Sequence, residues 1–184
     1  PFTILVTMPA ANKDRVYVAL YARGGEDSNT YHWAITVGPK EEVEGVKGHR
    51  HHVKQQLDPA SPSQFKWVYQ ALEIPLIQTS MLLGRIMIAK VTDSVQLRNT
   101  LAAVPIVQNN PAWTCRIWVR DAIVALEADG RSLGTRVTNW STIEQSAKDY
   151  IGQKRQQRRY DGSGSFPPRT VPTFDLIERK ETVP

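Results

Sequence analysis

One cysteine, Cys115, occurs in 184 residues. That excludes an internal disulfide and any cysteine-rich zinc site, and it suits a reducing, intracellular setting, with the cytoplasm as the first expectation. Long apolar runs are missing too. Met81-Leu82-Leu83 and Ala102-Ala103-Val104 are typical, far short of the roughly 20 residues of a membrane-spanning helix. Pro1-Phe2-Thr3-Ile4-Leu5-Val6 carries no basic segment of the kind that opens a signal peptide. Zinc-finger, RNP-type and Gly-rich phosphate-loop patterns are absent, and no internal repeat is evident. Histidine is scarce: the four are His32, His49, His51 and His52. Three of them crowd together without ligand spacing and without a carboxylate or thiol to complete a site, so neither a metal nor a cofactor is expected.

Hydrophobic content of 41% and charged content of 22% are ordinary for a globular domain, and the length is enough for one good-sized core. The net charge of +5 is local. It comes from Lys154-Arg155-Gln156-Gln157-Arg158-Arg159, a run of the sort that is usually a solvated face, so a nucleic-acid partner is not the expectation.

Read in order, residues 1–14 form a loosely held arm and residues 15–157 a single domain. Residues 158–184, rich in Gly, Ser and Pro, form a flexible basic tail. Arg15 to Ala22 is β-branched and aromatic, a strand; Arg23 to Asn29 is a loop by composition. Tyr31-His32-Trp33-Ala34-Ile35-Thr36-Val37-Gly38 alternates, with Tyr31, Trp33, Ile35 and Val37 on one face and His32, Ala34 and Thr36 on the other. Further strands are expected at 51–57, 67–74 and 82–91. Helices follow. Thr92-Asp93 opens the first, over 94–104, and Pro105 stops it. The second contains Cys115 and ends at Gly130, and Ser141-Thr142-Ile143-Glu144 is a capping box for the third. Strands first and helices after give an α+β domain, with an antiparallel sheet of about four to five strands.

Cys115, Trp118, Val119, Ala122, Ile123 and Leu126 form one helical stripe. Either Asn110 with Pro111 caps this helix, placing Cys115 a turn inside, or Thr114 caps it, placing Cys115 at the first helical position. A thiol there faces the positive end of the helix dipole, which favours thiolate; equally, a lone cysteine on an apolar stripe is a small core residue. A nucleophilic Cys115 needs a base. His32, on the most strongly marked strand, is the best candidate, with a solvent-facing polar residue as its plainer role. Period-two counting can put His52 on the face of His32, where it would orient the imidazole, with His51 or a nearby Asn or Gln in reserve. His49 reads as surface.

The strand from Tyr31 to Gly38, the following strand with His52, and the later Trp113-Thr114-Cys115-Arg116-Ile117-Trp118-Val119 together resemble the circularly permuted branch of the papain-like NlpC superfamily. That branch includes lecithin:retinol acyltransferase-like enzymes, in which a His-bearing strand precedes the Cys-bearing helix. The layout is also similar to an uncharacterised group of small fungal proteins. The resemblance covers about residues 15–127 and implies a permuted papain-like core. It implies Cys115 as nucleophile, His32 as base and His52 as third polar residue, with amides at the helix start and Asn109, Gln108 or Thr114 as oxyanion or accessory groups. The expected function is a thiol hydrolase, acyltransferase or cyclase acting on an amide, ester or thioester of a small-molecule, peptide or acyl substrate. An inactive papain-like binding module and a basic nucleic-acid-associated domain are the alternatives.

Overall fold

The computed structural model describes residues 12–24 and 30–184. Most of the 1–14 arm and the greater part of the 23–29 loop lie outside those residues. Among the described residues the chain runs β1 (Arg15–Ala22), β2 (Tyr31–Gly38), β3 (Lys47–Asp58), β4 (Ser61–Pro75), β5 (Leu82–Val91), α1 (Ser94–Ala102) and α2 (Cys115–Asp129). It continues through β6 (Leu133–Arg136), α3 (Trp140–Gln156), β7 (Thr173–Asp175) and β8 (Lys180–Val183). All eight strands join one sheet, ordered β4-β3-β2-β1-β5-β7-β8, with β6 also on β5.

The alternation in the sequence sorts side chains between the two faces. Val16, Val18, Leu20, Trp33, Ile35, Ile86 and Ile88 point to the helices and share the main core with the α2 stripe. Ala19, Tyr21, Ala34, Leu82 and Val171 form a smaller cluster on the reverse face. Helix α2 buries Trp118, Val119, Ala122, Ile123 and Leu126, as its spacing predicts, and Gly130 ends it in the left-handed region at φ 64°.

The α+β class holds, but the sheet is larger than expected and mixed. It gains β6, β7 and β8, and β7 lies parallel to β5, pairing Arg85 with Thr173 and Met87 with Asp175. The segment expected to be a flexible tail therefore completes the sheet, with Val171, Thr173, Asp175 and Leu176 buried. The basic run before it is a solvated face only in part: Gln156, Gln157 and Arg158 are exposed, whereas its other three residues are engaged. Lys154 is 1% exposed and donates to Glu181 Oε2 at 2.8 Å. Arg155 donates to the Tyr31 hydroxyl at 2.9 Å. Arg159 donates to the Thr170 carbonyl at 3.0 Å and sits 4.8 Å over the Phe166 ring. These cations tie the C-terminal segment to α3 and the sheet.

Helix α3 starts earlier than the expected capping box. Asn139 is its cap, accepting from the Thr142 N–H at 2.9 Å. Glu144, free of the box, pairs instead with Arg116 and Lys148. No helix among the described residues is long and apolar enough to cross a membrane.

The Lys154–Glu181 pair is asymmetric, since Lys154 is 1% and Glu181 29% exposed. Glu181→Ala strands a buried ammonium and is expected to cost about 3 kcal/mol in urea unfolding, whereas Lys154→Met, which removes the buried charge, costs much less.

Candidate functional site

The start of α2 is set by the residues before it. Asn110 closes a turn: its carbonyl accepts from Trp113 N–H at 3.0 Å and its side chain from Ala112 N–H at 3.0 Å. With Asn110 engaged there, Thr114 takes the cap position in extended backbone and makes no side-chain cap bond. Cys115 is thus the first helical residue, and the N–H groups of the first turn have no capping side chain to hold them.

Cys115 is 1% exposed, and its sulfur has two donors: Trp33 N–H at 3.5 Å and Arg23 Nη2 at 3.6 Å. It lies there because the β2–β3 ladder stops at Ile35–His51, two residues short of Trp33. The helix start fills the opening, with Trp113 edge-on to Trp67 at 5.4 Å. Helix dipole, guanidinium and strand amide all turn a positive pole toward the sulfur.

On the reverse face, His32 Nε2 meets His52 Nδ1 at 2.7 Å, and His52 Nε2 meets Gln70 Oε1 at 3.1 Å. The Gln70 oxygen only accepts, so His52 carries its proton on Nε2, and His32 Nε2 donates to the bare Nδ1 of His52. His32 Nδ1 is left unprotonated. The Thr36–Arg50 pairing places 32, 34 and 36 on the same face as 50 and 52, the parity the sequence allowed. Burial, then His52, Arg23 and Arg50, hold His32 down to about 3, so it is neutral at physiological pH. Burial also lowers His52, against the Gln70 hydrogen bond. Among the described residues no hydrogen bond joins His32 to the thiol.

The other expected residues are placed elsewhere. His51 faces the helices, bonded to the Tyr69 hydroxyl at 2.8 Å, and is pushed down to about 4, chiefly by burial. His49 is exposed. Gln108 accepts from Trp67 N–H at 2.9 Å and donates to Trp67 O at 2.7 Å. Its amide extends the β4 edge rather than facing the sulfur. Asn109 is exposed with φ 56°. Of the expected oxyanion groups, the helix-start amides are the ones beside Cys115. No group of three or more His, Cys, Asp or Glu among the described residues is placed to hold a metal ion.

Residues 13–183 match the profile of a family of unknown function, DUF6914. The chain belongs to that family. No curated protein and no solved structure matches it.

Two partners in this DUF6914 site escape a sequence reading, Arg23 and Gln70. Gln70 was not readable from the two-residue turn Pro59-Ala60: counting back from Asp58 opposite Ser61 sets His52 opposite Trp67, and the irregularity between Leu57 and Asp58 moves the partner of His52 to Gln70. Arg23 had no signal either, since it follows a strand end and reaches the sulfur only through the tertiary fold.

The buried histidines set an acid limit. His51 ordinarily titrates near 6.5 and is held at about 4 in the fold, so its stabilisation is complete above pH 6.5 and is lost as pH falls toward 4. Unfolding free energies from urea titrations at pH 7.5 and 4.5 are expected to differ by on the order of 2 to 3 kcal/mol from this residue, and His51→Asn removes that part of the difference.

Proposed function

We propose that the protein is a Cys–His thiol enzyme acting on an amide, ester or thioester through an acyl-enzyme, of the kind implied by the resemblance to permuted papain-like proteins. What carries this reading is the Gln70–His52–His32 chain. It ends at the strand residue next to Trp33, whose N–H holds the Cys115 sulfur.

In this mechanism substrate entry displaces Arg23 from the sulfur and lets His32 Nδ1 take the thiol proton. Sγ attacks the carbonyl carbon. The carbonyl oxygen becomes an oxyanion facing the uncapped N–H groups of the first turn of α2. The tetrahedral centre collapses, the bond to the leaving group breaks, and the leaving group takes the proton from His32. Water, deprotonated by His32, then attacks the thioester, the C–Sγ bond breaks and Sγ regains its proton from His32; an amine or alcohol in place of water gives acyl transfer. Because His32 is neutral at rest, it acts as a general base and does not form a standing ion pair. His52 and Gln70 fix its tautomer, the task of the third group in such triads.

The near-complete burial of Cys115 favours a second reading, an inactive binding module in which the thiol packs the core.

Iodoacetamide separates the two, because Cys115 is the only thiol. For the enzyme, native protein labels at neutral pH without denaturant, labelling of His32→Ala slows by at least about tenfold, and Cys115→Ser abolishes turnover of activated ester or thioester probes. Labelling that begins only on unfolding, at one rate in both proteins, identifies the binding module.

A further inference from the structure

The reverse face of the sheet holds a second polar centre that the thiol chemistry does not use. Arg85, in mid-β5, is 4% exposed. Its Nε donates to Thr173 Oγ1 at 3.0 Å, its Nη2 donates to Glu42 Oε2 at 2.7 Å, and its guanidinium lies 4.1 Å over the Tyr17 ring. Those contacts fix the guanidinium plane and leave Nη1 without a partner among the described residues. Arg85 lines a cavity of about 820 Å³, within the size range of small-molecule sites. Val46, Leu76 and Val171 supply apolar wall, and Lys40 and Arg169 also border it. Neither of these two cations is ion-paired among the described residues.

Glu42 is an incomplete counterion. A carboxylate matched to arginine grips with both oxygens, but Glu42 uses one, while its Oε1 is buried with no partner. A buried acceptor without a donor is unfavourable. Glu42 also lies on the connection between β2 and β3, not on a strand.

We propose that this cavity binds a small amphipathic carboxylate. Its head group takes Arg85 through Nη1 and Nη2 as Glu42 swings aside, and its apolar body lies along Val46, Leu76 and Val171. Lys40 and Arg169 draw the anion in. The site is separate from Cys115 and stands whether or not the thiol is catalytic.

Decanoate is the probe, titrated calorimetrically below its micelle-forming concentration, with decanamide as the neutral match and decyl phosphate as the alternative anion. Saturable decanoate binding is expected, with decanamide weaker by about tenfold. Replacing both Lys40 and Arg169 by Ala, at exposed positions that do not threaten folding, weakens it roughly threefold to tenfold and more so at low salt. Glu42→Gln, which removes the competing carboxylate but keeps a hydrogen-bonding amide, tightens it several-fold. Cys115→Ser leaves it unchanged, so loss of this site and loss of the thiol mechanism are told apart. Three results overturn the proposal: no saturable binding to wild type or Glu42→Gln at about 1 mM ligand, decanamide binding as well as decanoate, or affinity indifferent to Glu42 and the two cations. Decyl phosphate binding more tightly than decanoate overturns the carboxylate assignment.

Discussion

A buried backbone N–H has to find an acceptor, and at Trp33 the acceptor is a sulfur. The ladder between β2 and β3 stops at Ile35 and His51, and the Trp33 amide beyond it bonds to Cys115. Much of the site follows from that substitution. It seats the first residue of α2 against β2, brings Arg23 over the thiol, and leaves Trp113 wedged against Trp67. The freed end of β3 carries on as a hairpin with β4, which brings Gln70 opposite His52. A complete β2–β3 ladder would have closed the sheet where the sulfur now enters.

The two faces of the sheet solve different problems. Toward the helices, Trp118, Ile123, Leu126 and the inward residues of β1, β2 and β5 make an apolar core. The reverse face is polar at depth. Thr36 Oγ1 is buried without a partner and Arg50 lies 5.3 Å over the Tyr21 ring, near a histidine pair that burial keeps neutral. Buried polar groups without partners are unfavourable for folding alone. The helix side holds two such groups as well, Trp113 Nε1 and Trp118 Nε1.

Legibility in the sequence followed the locality of the cause. β1, β2 and β5 have the limits that alternation and composition suggest, because side-chain period and turn residues are local signals. The shared face of His32 and His52 was readable as parity, although the 39–46 connection hid the register. The start of α2 was readable only as a pair of alternatives, and the fold chose Thr114 because Asn110 closes its own turn. Misreadings arose where a distant partner decides. Lys154 looked like a surface charge until Glu181 and Phe166 covered it. The Gly- and Pro-rich composition of 158–184 hid two short strands that have no core of their own and borrow that of β5. Gln108, an oxyanion candidate by the resemblance, spends both of its polar atoms on Trp67.

The parallel pairing of β7 with β5 joins residues 88 apart in the chain. Closing so long a loop carries a greater entropic burden than the local hairpin of β3 and β4. Until it closes, Arg85 has neither the Thr173 hydroxyl beside it nor the cover of residues 169–173, and its charge stays hydrated. Desolvation of this arginine therefore requires the β5–β7 pairing to be in place. The cavity around it, drawn from β1, the β2–β3 connection, β5 and the C-terminal strands, comes into existence only when the sheet is whole.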